Sequence, residues 1–313
     1  GGNNPRFIGP ACINIVVASN AGGAFSPFGD ITTLMVWQKG VLNFTEFFTL
    51  FIPAAVNFLI PATIMSFVLP SERPEASSQS VELKRGTWRI VWFFLATIAT
   101  AVCFHNFLHL PPVIGMMLGL GYLNMFGYYL VKTLPKSLDK KRRIYEQRGD
   151  IEAIQRLGEV VPFNVFSKVA RAEWDTLLFF YGVVLCVGGL GFMGYLSHAS
   201  QLLYGDFGPT IANITVGVLS AIVDNIPVMF AVLAMMPEMS HGQWLLVTLT
   251  AGVSGSLLSI GSAAGVALMG QARGKYTFLG HLKWSWAIAL GYAASILVHL
   301  WINDDLFHLT VET

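Results

Sequence analysis

Two acidic residues lie where an acid is costly to keep. Asp224, followed by Asn225, is the one Asp, Glu, Lys or Arg between positions 207 and 237, and Asp30 follows Ser26-Pro27-Phe28-Gly29 and precedes Thr32-Thr33. Ionisable side chains inside long apolar stretches tend to mark ion or proton pathways. A hard cation such as sodium prefers oxygen ligands, which carboxylates, hydroxyls and carbonyls freed at helix breaks can supply. The residues that could make such a site are Asp224, Asn225, Asp30, Ser26, Asn20, Thr32, Thr33, Ser259 and Ser262. A carboxylate shielded from water can also take a proton in place of the cation, so one site could serve both. Plainer readings exist for both acids. Asp30 reads equally as the N-cap of a short helix at 31–37, with Ser262 in the matching place of a second such helix, and Asp224 as a polar contact inside a bundle.

The elements that must position these residues are apolar. The 313 residues are 54% hydrophobic and 12% charged, whereas a soluble domain carries about a quarter charged residues. No Asp, Glu, Lys or Arg falls between Glu46 and Glu72, Arg89 and Lys132, Asp175 and Asp206, Glu238 and Arg273, or Lys283 and Asp304. Each gap can hold a spanning helix of roughly 20 residues, and the 89–132 gap can hold two. The chain therefore reads as an all-α polytopic membrane protein with the lipid bilayer as its solvent. A net charge of +1, with the basic residues in loops, offers no face for nucleic acid. Cys12, Cys103 and Cys186 lie far apart without C-x-x-C spacing and read as small apolar packing residues rather than a zinc or disulfide framework. No cofactor is expected. An intramembrane hydrolase would need a positioned nucleophile or metal, and neither Gly-x-Ser-x-Gly nor His-Glu-x-x-His occurs.

Along the chain, an apolar segment near 8–20, a Gly/Ser/Pro break at 21–30 and a short apolar segment at 31–37 come first, each piece too short to span alone. A long helix at 44–68 follows, then spans at 89–108 and 112–132 divided by Pro111-Pro112, a charged stretch at 133–173 able to form an interfacial helix, and a span at 174–197. A span at 209–236 is interrupted at Asp224-Asn225-Ile226-Pro227. An apolar pair at 243–253 and 262–270 flanks the break from Ser254 to Ser262, and a last span covers 281–301. Lys and Arg concentrate in the 70–88 and 133–173 loops and are absent from 105–112 and 198–208, which makes the first two loops cytoplasmic. The chain begins Gly1-Gly2-Asn3-Asn4 with no signal-peptide pattern.

The two Gly-rich breaks repeat one another. Gly23 and Gly29 match Gly255 and Gly261 at an offset of 232, which also aligns Phe44-Thr45 with Tyr276-Thr277. Carrying the loop orientation along the chain makes the first pair re-entrant from the outer face and the second from the cytoplasm, an inverted-repeat transporter with re-entrant hairpins and broken helices. Breaks at membrane depth need protein or a water-filled cavity around them, and two that meet near the midplane would build an ion site. The expected organisation is the remainder of a first transport repeat at 1–69 (outer-face hairpin plus helix), a cytoplasmic loop at 70–88 and scaffold helices at 89–132. A cytoplasmic charged connector at 133–173 follows, then a second-repeat scaffold helix and outer loop at 174–208. A second transport repeat at 209–313 holds the broken helix, inner-face hairpin, last helix and tail. At the same offset a counterpart of Asp224-Asn225 would precede Gly1, so an N-terminal portion is expected to be missing.

Asn57 and Asn213 read as interhelical hydrogen-bonding residues, and His105 and His109 as interfacial histidines rather than a metal pair. Trp88, Trp92, Trp174, Trp284 and Trp286, near span ends, read as an aromatic belt. The run from Asn20 through Ser26-Pro27-Phe28-Gly29-Asp30 to Trp37, together with Asp224-Asn225-Ile226-Pro227 and the stretch from Ser254 to Ser262, resembles the NhaD-type sodium/proton antiporters of the ion transporter superfamily. The resemblance covers nearly all of the chain. It implies a multi-pass protein of the bacterial inner membrane that exports sodium, and lithium, in exchange for protons. It also implies two inverted repeats, each with an Asp-Asn break and a re-entrant hairpin, and a homodimer formed through a scaffold domain. The departure is the absent first Asp-Asn motif, which leaves half of the expected ion site. The alternative within transport is a sodium-coupled carrier of a dicarboxylate or another anion, which an acidic Asp30 at the break would disfavour.

Overall fold

The computed structural model describes residues 5–69, 86–148 and 174–309, and all regular structure among them is helical. Among the described residues, five helices are long and apolar enough to cross a membrane: Phe7–Ala24, Glu46–Ser66, Thr87–Leu108, Pro112–Lys136 and Ser285–Ile302. A sixth crossing would be the pair Leu177–Phe192 and Tyr195–Asp206, bent by 82° at Gly194, where φ is +84°. This is an all-α polytopic membrane protein. The chain divides into two compact units, residues 1–79 with 177–313, and residues 80–176.

The smaller unit is an antiparallel helix pair, α4 (Thr87–Leu108) and α5 (Pro112–Arg148). Gly115 and Gly119, one turn apart, let α5 approach Ala101 and Thr97 on α4; a Cβ at Gly115 would come within 2.7 Å of the Ala101 nitrogen. Where lipid surrounds both helices, such small-residue contacts supply the packing that water would otherwise drive. Helix α5 runs past the expected span end at 132, through Pro135 to Arg148, with Arg142 Nε 3.0 Å from Glu146 Oε1 one turn on, while its membrane-crossing stretch is Pro112–Lys136. The rest of the charged connector, and the 70–85 stretch, fall outside the described residues. His109 leaves α4 in the left-handed region at φ 51°, so the helical spacing to His105 is lost, and no group of three metal-ligating side chains occurs among the described residues.

The larger unit holds α1 (Pro5–Ala24), α2 (Ile31–Gln38) and α3 (Phe51–Ser66, entered through a 3-10 turn at Glu46–Leu50). Then come α6 (Trp174–Phe192, in this unit from Leu177), α7 (Tyr195–Ser200, continuing as π-helix to Asp206), α8 (Pro209–Ser220) and α9 (Asn225–Met235). It finishes with α10 (His241–Ser254), α11 (Ala263–Gln271), α12 (Phe278–Leu282), α13 (Ser285–Ile302) and a 3-10 turn at Asp304–His308.

Long-range contacts define two ends of this unit. At one, His241 Nδ1 lies 2.9 Å from Glu46 Oε1, the His241 N–H donates to Leu309 O at 2.9 Å, and Gln243 Nε2 donates to Thr210 Oγ1 at 2.7 Å. At the other, Cys12, Ile13, Val16 and Val17 pack with Met65, Tyr276 and Ile288, flanked by Ile8, Leu268, Ala272 and Trp284. Helix α1 therefore starts at the Met65 end, while Val41, just beyond α2, lines a cavity of about 580 Å³ at the Glu46 end with Pro209, Met236 and Phe307. Helix α10 starts at the Glu46 end and α11 finishes at the Met65 end.

These contacts reverse part of the expected assignment. The α1–α2 and α10–α11 pairs each run from one end of the unit to the other, in opposite senses, instead of returning to the end where they began as the expected hairpins would. The hairpin is α8–α9, whose outer residues Pro209 and Met236 line the same cavity. The expectation failed on length: α1 continues through Gly22-Gly23 to Ala24 and spans 20 residues, so α1 with α2 is long enough to cross. The inverted relation of the two Gly-rich segments survives, because they still run in opposite directions. The expected outer loop at 198–208 is itself largely helical.

Candidate functional site

The α1–α2 break closes on itself first. Gly29 N–H donates to Ser26 O at 2.9 Å and Phe28 N–H to Ser26 Oγ at 3.4 Å, so Ser26 serves its own turn. Gly29 presses on Gly23 so closely that a Cβ there would sit 2.8 Å from Gly23 Cα. Asp30 then caps α2: Oδ1 accepts from Ile31 N–H at 2.7 Å, and Oδ2 accepts from the Thr32 hydroxyl at 2.9 Å. Thr33 Oγ1 donates to Asp30 O at 2.8 Å and accepts from the Asp30 N–H at 3.2 Å. Thr32 and Thr33 are fully buried. Asp30 is thus the N-cap of α2.

The α10–α11 break follows the same plan with different chemistry. Ser262 caps α11, its Oγ accepting from Gly265 N–H at 3.4 Å. Gly255 and Gly261 are again in close contact, a Cβ at Gly255 falling 2.7 Å from Gly261 O. Ser259 is fully buried and its hydroxyl has no partner.

The α8–α9 hairpin brings a third interruption to these two. Pro227 sits in the first turn of α9, where its missing N–H breaks no helical bond, and the chain opens at 221–224 instead. Gly261 packs against the Ala221 peptide. Asn225 Nδ2 donates to Asp30 Oδ2 at 2.9 Å across 195 positions, and Asn20 Nδ2 donates to Ser262 Oγ at 3.1 Å across 242. Asp224 caps α9 by position but makes no side-chain cap bond, and its Oδ1 is buried without a partner. Three donors thus converge on Asp30, while the neighbouring acid has an oxygen with none. An unsatisfied buried oxygen costs about 1–3 kcal/mol unless something fills it.

Eight of the nine sequence-derived residues meet here or flank the meeting point, and Ser26 is spent in its turn. Other residues hold the hairpin, and of these Asn213 alone was read from the sequence. Asn213 Nδ2 donates to Gln243 O and Oε1 at 3.0 and 2.9 Å, Tyr204 donates to Asn213 Oδ1 at 3.2 Å, and Ser220 Oγ donates to Ala251 O at 3.1 Å. Asn213 is the interhelical residue expected. Asn57 is not: it is fully buried between α3 and α13 and both amide atoms lack partners. Its neighbour across the interface is Gly291, which has no polar side chain to offer. Cys12 is buried as expected of a packing residue, whereas Cys103 and Cys186 are exposed.

Comparison with known proteins places the chain among transporters. The family model described as citrate transporter matches residues 1–252. The Na(+)/H(+) antiporter NhaD of Alkalimonas amylolytica is 68% identical over 304 residues, covering 97% of this chain and 63% of that protein. The Na(+)/H(+) antiporter NhaD of Vibrio parahaemolyticus is 65% identical over 292 residues, 93% of this chain and 70% of that protein. Sodium/proton antiporter 1 of Arabidopsis thaliana is 29% identical over 306 residues, 94% of this chain and 49% of that protein. The chain thus spans under two thirds of the length of some of these relatives and more of others. No solved structure matches it. With relatives this similar over nearly all of its length, the chain belongs to the NhaD-type sodium/proton antiporter family.

Proposed function

We propose that the protein carrying this chain exchanges sodium, and lithium, for protons across the bacterial inner membrane, with Asp224 as the exchanging carboxylate. The observation that carries the reading is the pairing of Asp30 with Asn225 beside a buried, unpartnered Asp224 oxygen. The Asp30 carboxylate is engaged by the Ile31 N–H, the Thr32 hydroxyl and the Asn225 amide, and it is the fixed acid of the pair. Asp224 has fewer donors to lose and is the group that alternates between proton and cation. Ser259, Ser262, Asn20, Thr32, Thr33 and the Asn225 amide oxygen supply neutral oxygens around the two acids, a donor set that suits a hard monovalent cation. One proton leaving as one cation enters keeps the site's charge constant. The cavity at the Glu46 end, bounded by both arms of the hairpin, is the approach from the outer side, with the 70–88 and 133–173 loops cytoplasmic. The protein works as a homodimer in the bilayer.

The description of the matching family favours a second reading, transport of citrate. Two carboxylates at the meeting point would repel a polyanion, which makes that reading the weaker one. Sodium-driven proton flux in proteoliposomes, followed against pH for the wild-type full-length protein and Asp224→Asn at matched levels, tests the proposal. Exchange should collapse in the variant while insertion is normal. Equal flux with an unmoved pH profile would remove Asp224 from the mechanism, and labelled citrate uptake without proton exchange would favour the second reading.

A further inference from the structure

Two side chains outside the ion site grip the α10–α11 break. His281 Nε2, from α12, lies 2.8 Å from Ser256 O, and Ser285 Oγ, at the start of α13, donates to Leu257 O at 2.6 Å. A carbonyl only accepts, so Nε2 carries the hydrogen, and in the neutral ring Nδ1 is then the acceptor. Tyr276 Oη is 2.7 Å from Nδ1 and is therefore the donor that fixes the tautomer. His281 is fully buried, and Tyr276 is 3% exposed within the apolar cluster of Cys12, Ile13, Val16 and Val17. Thr277 presents the histidine by capping α12 through Gly280 N–H at 3.2 Å.

The grip falls on peptide units already bonded on their other side. Ser256 N–H donates to Val253 O at 3.2 Å and Leu257 N–H to Ser254 O at 2.8 Å. With N–H and C=O both engaged, these two residues cannot rotate without losing a buried bond. Ser259 and Ser262, the hydroxyls of the candidate site, follow directly in the chain. The first repeat has no counterpart: the offset of 232 places Thr49 where His281 stands, Phe44 where Tyr276 stands and Pro53 where Ser285 stands.

We propose that His281 is a positioning residue of the ion site: its Nε2–H, with the ring held by Tyr276, clamps the Ser256 carbonyl and so orients Ser259 and Ser262 toward the cation. This rests on the sodium/proton reading. The test compares full-length wild type, His281→Gln, His281→Leu and Tyr276→Phe in everted vesicles at matched protein levels, reading half-saturating sodium and maximal rate separately. Loss of one buried hydrogen bond should raise half-saturating sodium roughly tenfold in His281→Leu, with maximal rate changed far less. His281→Gln, which keeps an N–H donor and an acceptor, should return to within about threefold of wild type. Equal half-saturation in the Leu, Gln and wild-type proteins overturns the inference, as does a change in maximal rate alone. Should His281→Leu fail to reach the membrane, Tyr276→Phe decides: a raised half-saturation supports the clamp, and an unchanged one overturns it. A wild type without sodium-dependent proton movement would instead defeat the transport reading itself.

Discussion

The two crossing breaks share one skeleton and differ in what fills it. In each, two glycines six positions apart bring the backbone against itself, and a polar residue after the second glycine caps the next helix. The first cap is an acid, Asp30, and its break is braced by rings: Phe25 meets Phe51 edge-on at 5.1 Å, and Phe28, Trp37, Phe44 and Phe48 make a chain of ring contacts beside it. The second cap is a hydroxyl, Ser262, and its break is braced by the polar clamp of His281 and Ser285. Charge sits in the break with apolar bracing, and neutral oxygens sit in the break with polar bracing. Backbone geometry is thus the common requirement, while the chemistry offered to a cation is divided between the halves.

The comparison can be broken where the halves agree. Gly29→Ala would drive a Cβ into the Gly23 peptide, and Gly261→Ala would drive one into the Ala221 peptide. Backbone cannot step aside as a flexible side chain can, so each should cost about 3 kcal/mol or more. The expected result is a severe loss of folded protein in both variants, measured by thermal unfolding in detergent. Normal stability in either would show that its break is not held by close approach.

A smaller effect should follow from making the caps alike. Asp30→Ser keeps a capping oxygen, so α2 should remain within about 1 kcal/mol of its stability. The charge is lost, and sodium-dependent proton movement should fall by roughly a hundredfold, the order expected for removing a charged hydrogen-bonded partner. Retained transport would reduce Asp30 to a cap. The mildest change touches bracing alone: Phe51→Leu removes the edge-on contact to Phe25 and should cost about 1 kcal/mol in stability, with half-saturating sodium nearly unchanged. A large shift in sodium dependence would mean that the aromatic brace tunes the site as directly as the histidine clamp.

Much of this plan was legible from residue types. Glycine pairs at matching spacing announced the two breaks, and Asp30 and Ser262 announced caps, because both effects are local. The path of each element through the unit was not legible. Apolar length alone does not separate a helix that turns back from one that bends and continues, and the contacts that decide it, His241 with Glu46 and Gln243 with Thr210, join distant segments. Asn57 and Asn213 looked alike in sequence, yet Gln243 answers one and Gly291 faces the other. His281 gave no sign of its role, since a lone histidine near an apolar span matches no motif and its partners are a distant carbonyl and a tyrosine five positions away.

The Asn225 bond to Asp30 bears on how the protein is made. Asp30 leaves the ribosome long before Asn225 is synthesised, so during insertion its carboxylate must enter an apolar medium without that partner. It does not enter bare. The Ile31 N–H and the Thr32 hydroxyl, which solvate it in the finished structure, are its immediate chain neighbours and travel with it. The α2 cap thus acts as a portable hydration shell for a charge in transit, and the distant amide completes that shell only when the second half of the chain arrives.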